Sequence, residues 1–186
     1  MKIDIGKYQI EFSNEFNYKK GSSENEFEFE NYYSDEEEYQ FSTQIGIKLY
    51  EEENLISSAI ICSSGGASGI HQTSQIINED KIVICCSNQI FNLSIPNLNL
   101  RWNTKADEAT CFEIFQINKD FIIHGELEIS RLSKEGEIIW QRSGADIFTT
   151  LESKRDDFKL TDNYIFVTDW ENRKYQFDFD GNEIKI

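Results

Sequence analysis

Three stretches of the chain are written to one pattern. IINEDKIVICCSNQIFNLSIPNLNLRW, ending at Trp102, and FQINKDFIIHGELEISRLSKEGEIIW, ending at Trp140, align with an offset of 38 to 40 residues, and FKLTDNYIFVTDWENRKYQFDFDGNEIKI forms a third copy. Within each copy a short strand, a polar turn (NED, NKD, TDN) and a β-rich strand are followed by a tight link, another alternating strand, a turn (PNL, KEG, FDG) and a last strand. Each copy therefore reads as a four-strand antiparallel meander, and its period-2 alternation excludes helical repeats. The expected units are residues 71–103, 104–142 and 143–186 of an all-β fold, preceded by an N-terminal hairpin region over residues 1–70 in what reads as one domain.

A four-stranded unit repeating about every 40 residues is the signature of a propeller blade, in which each sheet buries its faces against its neighbours. SKEGEIIW and DFDGNEIKI resemble the blade repeats of pyrroloquinoline-quinone-type and related β-propellers, where a D-x-x-G turn precedes a strand ending in Trp. IPNLNLRW departs from that pattern, with Pro96 and Asn97 in place of the glycine turn. GGASGIH, DEATCFEI, HGELEISRL, GADIF and TDWENRKYQFDFDG are similar to stretches of uncharacterised bacterial proteins. The blade resemblance covers residues 71–186 and implies architecture; it implies no quinone, and no cofactor is expected. Propellers close with about four to eight blades, so either residues 1–70 supply a fourth, irregular blade or the array stays open. An open array must cover or charge its exposed edge. The acidic run at 24–38, a homodimer or a cognate partner would each serve.

In residues 1–70, Ile3, Ile5, Tyr8, Ile10 and Phe12 alternate with polar partners and slip register once near Gly6 and Lys7, which predicts one strand. ENEFEFENYYSDEEE at 24–38 carries eight carboxylates and reads as an exposed strand with Phe27 and Phe29 on one side and Glu26, Glu28 and Glu30 on the other. Residues 39–49 hold the longest strict alternation, and the turn at 51–54 joins them to LISSAIIC as a hairpin. The Gly/Ser loop SSGGASG follows.

Thirty-four acidic against eighteen basic residues give a formal charge of -16. That field repels nucleic acid and anionic membranes and draws in a basic protein. MKIDIGKYQIEF has no apolar segment followed by a small-residue cleavage site, so a cytoplasmic setting is expected. Apolar runs such as 82–86 are strand-sized, far short of the roughly 20 residues that span a bilayer. Cys62, Cys85, Cys86 and Cys111 lie in apolar strands without C-x-x-C spacing, which predicts buried, reduced thiols and no zinc site.

Alignment of the copies puts GGASGIH, KADEATC and SGADIFT at equivalent entries to the modules. His71, Asp107, Glu108 and Asp146 would then gather at one mouth of a central channel, a set able to hold a cation or a basic side chain. Ordinary turn chemistry at strand starts accounts for the same residues. His124 and Glu126 suit a base and its orienter, or two metal ligands, and equally the hydrogen bonding of a tight hairpin. Asp169 and Trp170 occupy the same hairpin one copy later and read as a recognition pair, or as a Trp folded over its own hairpin. Trp102 and Trp140 read as packing between modules. The chain has no G-x-S-x-G elbow, P-loop, H-E-x-x-H or dinucleotide fingerprint, so no catalytic residue is assigned.

The expectation is a protein-binding module, specifically an acidic immunity or inhibitor-type partner of a basic bacterial protein, with Glu26, Glu28, Glu36, Glu37 and Glu38 as its acidic surface. The alternatives are a small-molecule or cation-binding protein using the channel mouth, and a structural homo-oligomer.

Overall fold

Period-2 alternation, turn residues at regular spacing and the absence of helical periodicity have their expected result: every regular element among the described residues is a β-strand. A computed structural model describes residues 1–34, 41–150 and 157–185 and contains sixteen strands and no helix among them. In the first repeat, β6 (Gln75–Asn78), β7 (Lys81–Cys86), β8 (Gln89–Ser94) and β9 (Leu100–Lys105) pair antiparallel in chain order. In the second, β10 (Cys111–Ile117), β11 (Asp120–Gly125), β12 (Glu128–Leu132) and β13 (Ile138–Ser143) do the same.

The third repeat is reduced to β14 (Phe158–Leu160), β15 (Ile165–Thr168) and β16 (Lys174–Phe177). A single bridge, Phe177 to Glu183, stands where the fourth strand was expected. Asp178 draws the Asp180 and Asn182 amides into a tight turn, but residues 182–185 lie exposed and bury no apolar side that would extend a ladder.

The first sheet differs from the sequence reading in two places. Residues 3–12 form two strands, β1 (Lys2–Ile5) and β2 (Tyr8–Asn14), because the slip at Gly6 and Lys7 is a two-residue hairpin that pairs Ile5 with Tyr8. Gly6 takes the left-handed φ of 57° there. In the acidic stretch only β3 (Asn31–Ser34) is a strand among the described residues, and it lies parallel to β5 (Asn54–Ser63). β4 (Thr43–Glu51) and β5 (Asn54–Ser63) form the expected hairpin, with Glu52 and Glu53 both at positive φ, the conformation of a type I′ turn.

The sheet order is β1-β2-β4-β5-β3. Its first four members are an up-and-down meander like those of the repeats, with residues 15–42 inserted between the second and third strands. Part of this insertion folds over the outer face of the sheet: Phe29 packs with Tyr18, Ile60 and Cys62, and the Lys48 ammonium lies 3.8 Å from the centre of the Phe27 ring. Phe27 and Phe29 therefore cap the sheet, with Phe29 5% exposed.

The four sheets stack in chain order, because the middle strands bury both faces. Ile82, Ile84, Cys86, Phe91 and Leu93 pack with Ile45, Ile47 and Ile61 of the first sheet. The alternate residues Val83, Cys85 and Ile90 pack with Ile114, Phe121 and Ile123 of the next. Ile122 and Ile129, on the other side of that sheet, meet Ile165 and Val167. A strand buried on both faces reads as a continuous apolar run, which is what KIVICC and DFII show.

A second link repeats along the stack. The Trp102 indole donates to the carbonyl of Lys134, and its ring lies over Gly136. Trp140 does the same one module later, donating to Phe179 and lying over Gly181. Both glycines have positive φ, 85° and 80°, and a Cβ on either would meet the indole at 2.5 or 2.7 Å.

Candidate functional site: the loop end of the stack

The tight hairpins of the repeats and the loops that enter each module lie at one end of the stack, tied by backbone hydrogen bonds. Cys111 N donates to Ser87 O (2.7 Å), and Phe148 N donates to Glu126 O (2.6 Å) at the equivalent place one repeat on. Glu126 N donates to Thr110 O, and Trp170 N to Ile147 O. The entering segments of the second and third modules are thus each held by the hairpin of their own module and by that of the module before.

Asp107 builds this end from the inside. It is 2% exposed, and its carboxylate accepts four backbone N–H groups: Ala109 and Thr110 on Oδ1, Leu127 and Glu128 on Oδ2. Burial pushes the carboxyl upward, and the four donors oppose that shift. The sequence reading put Asp107 at an open mouth. With its oxygens committed to backbone donors, it is a clasp between an entering loop and a hairpin.

The remaining members of the expected mouth are engaged separately. Glu108 is exposed and pairs with Lys105 at 2.5 Å. Asp146 accepts the Ile147 amide and lies 3.8 Å from the Arg173 guanidinium. His71 is exposed, and its Nδ1 lies 3.2 Å from the Thr73 hydroxyl. Among the described residues no group of three or more His, Cys, Asp or Glu side chains is arranged to hold a metal ion.

His124 is 6% exposed, with Nδ1 3.0 Å from Glu113 Oε2 and Nε2 3.0 Å from the carbonyl of Phe148. Its ring stacks on Phe158 at 4.5 Å. Both ring nitrogens are thus engaged, one by a side chain of its own sheet and one by the backbone of the next module. Glu113 also accepts from Thr73 at 2.7 Å, so the chain Thr73–Glu113–His124–Phe148 joins all three repeats. Desolvation works to raise the Glu113 carboxyl, but hydrogen bonds from His124 and Thr73 hold it below the usual range. Glu126, expected beside His124 as orienter or ligand, contributes its backbone to the hairpin while Glu113 takes the side-chain role. Glu113 was legible: a two-residue turn at Asn118 and Lys119 sets it opposite His124.

The expected pairing of Asp169 with Trp170 does not form a surface. Asp169 is fully buried and organises its own hairpin, accepting from Arg173 N and Nε and from the Tyr175 hydroxyl. Desolvation opposes ionisation of Asp169, yet those hydrogen bonds hold its carboxyl below the usual range. Trp170 is 37% exposed, and Leu127, on the preceding hairpin, is 36% exposed. Leu127 was missed because a single Leu in a polar turn gives no pattern. Of the expected acidic surface, Glu28 accepts from the Tyr18 hydroxyl and from Asn25, and Glu26 lines a cavity in the insertion. Glu36, Glu37 and Glu38 lie outside the described residues.

No family model and no curated protein matches the chain. Among solved structures, BamB from Moraxella catarrhalis superposes with a TM-score of 0.54 and 14% identity over 75% of this chain and 42% of BamB. The computationally designed Ika8 protein superposes with a TM-score of 0.52 and 9% identity over 77% of this chain and 45% of Ika8. The chain spans less than half the length of either. At these identities the likeness is one of fold: this is an all-β chain with propeller-like sheets, two of them four-stranded antiparallel meanders.

Proposed function

We propose that the chain is a protein-binding module that receives a basic partner at its loop end, with Leu127 and Trp170 as apolar anchors. The observation that carries this reading is the exposure of these two side chains on successive hairpins, joined through Ile147 and Phe148 and accompanied by carboxylates. Glu108, Glu126, Glu128, Asp146 and Glu171 lie on the same hairpins and entering loops. Glu128 has one buried oxygen without a hydrogen-bond partner, and its carboxyl is pushed up by desolvation and by the neighbouring Asp107 and Glu108. Large apolar side chains at the centre of a binding surface hold a complex, while surrounding charges steer its approach. The net charge of -16 favours a basic partner.

The finer form of the proposal is an immunity or inhibitor-type role toward a basic protein, in the cytoplasm, where buried free thiols persist. The test is capture from a host lysate by the wild type, by Trp170→Ala and by Leu127→Ala, with the captured protein purified and its affinity measured. A basic protein whose binding weakens at least tenfold in either variant and falls with salt supports the reading. Equal binding by all three proteins removes the loop end as the interface.

A further inference from the structure

We propose that a cavity in the inserted segment of the first sheet receives one arginine side chain of a basic partner. The inference rests on the protein-binding reading and adds to it a second contact with its own chemistry. Residues 14–18, leaving β2, and residues 24–27, returning toward β3, line a half-open cavity of about 320 Å³. That is near the lower limit of small-ligand sites, roughly 300 Å³, and suits a single side chain.

The two arms are held together before any ligand arrives. Asn25 donates to Lys19 O at 2.7 Å and accepts from Lys19 N at 3.0 Å, while Glu15 N donates to Gln44 O at 2.9 Å. Tyr18 is anchored in the cap by its contact with Phe29, and Phe27 by the Lys48 ammonium. Phe16 is 72% exposed, more than any other large apolar side chain among the described residues, and it lines the cavity. It contributes nothing to the core.

The lining pairs three aromatic residues, Phe16, Tyr18 and Phe27, with three carboxylates, Glu15, Glu24 and Glu26, and includes no lysine or arginine. An aromatic face beside carboxylates suits a cation carried on an apolar stem. Arginine fits this better than lysine because its planar guanidinium stacks on a ring while its N–H groups address a carboxylate. The location agrees: the insertion replaces the tight hairpin that the repeats present at the loop end, and insertions into repeat arrays often mark the binding face.

The test is an NMR titration of the full chain with acetyl-Gly-Arg-Gly-amide, its lysine counterpart and its citrulline counterpart, which keeps the shape of arginine without the charge. The arginine peptide is expected to shift Phe16, Asn25 and Phe27 signals saturably, with affinity falling at least fivefold in Phe16→Ala and in the paired Glu24→Gln, Glu26→Gln variant. Trp170→Ala should leave this response unchanged, which separates the cavity from the loop-end anchors. An equal response to citrulline, shifts spread evenly over the acidic surface, or indifference to Phe16→Ala would overturn the proposal. Lysine binding as tightly as arginine would overturn the choice of side chain.

Discussion

Trp140 donates its indole N–H to Phe179 and covers Gly181, so the last strand of the second module closes the last turn of the third. The same relation joins Trp102 to the turn around Gly136. In a stack where each sheet touches its neighbours, stability depends on such junctions. The sheet of the third repeat, with three strands and one bridge, depends on its junction most.

Trp140→Ala is therefore expected to cost about 3–5 kcal/mol, the range for removing a packed Trp. Hydrogen exchange should show the loss concentrated in β15 and β16. Gly181→Ala should act on the same junction, because alanine would be strained at a φ of 80° and would press its Cβ into the indole. Uniform loss of protection across all four sheets would contradict a junction-specific role.

The strands of the repeats were legible because turn residues punctuate clear alternation. Three features show what was not legible. Gly6 and Lys7 looked like a slip because a two-residue turn barely interrupts alternation. Phe27 and Phe29 alternate with Glu as a strand would, yet the chain there folds back over a sheet whose outer face is supplied by Ile60 and Cys62, thirty residues on. Asp107 resembles any turn aspartate, and its burial depends on amides at Leu127 and Glu128, twenty residues away. Period and turn chemistry are local signals; long-range capping and clasping depend on tertiary contacts.

Asp107→Asn tests the clasp. An amide cannot accept four N–H groups, and its NH₂ would face two donors inside a buried site. The expected loss is about 2–3 kcal/mol, since buried donors left unpaired cost roughly 1–3 kcal/mol. Denaturant unfolding measures it, and a change under about 0.5 kcal/mol, the range of neutral surface substitutions, would show that the loop reorganises freely.

Cys85 and Cys111 are fully buried, and burial pushes both thiols well up from their ordinary value. Cys62 and Cys86 are buried too. A thiol reagent applied to the native protein should therefore react only as fast as the protein opens, and all four cysteines should react at once in denaturant. Prompt labelling of any one under native conditions would place that thiol outside the core.

Glu113 carries the pH prediction. Its folded pKa is held below the ordinary carboxylate value of 4.5, so its ionised form stabilises the fold above the unfolded pKa, and that contribution is lost as pH falls through the depressed folded value. Glu113→Gln keeps the size of the side chain and removes the charge that faces His124 and Thr73. Wild type should exceed the variant in stability at pH 6, and the gap should close as pH falls below the ordinary carboxylate value and through the depressed folded value, as Glu113 is protonated. Denaturant midpoints at a series of pH values read this directly. A gap that stays constant down to pH 3 would mean that the variant loses packing or hydrogen bonding, while a gap that closes identifies the Glu113 charge as what holds His124 between the second and third modules.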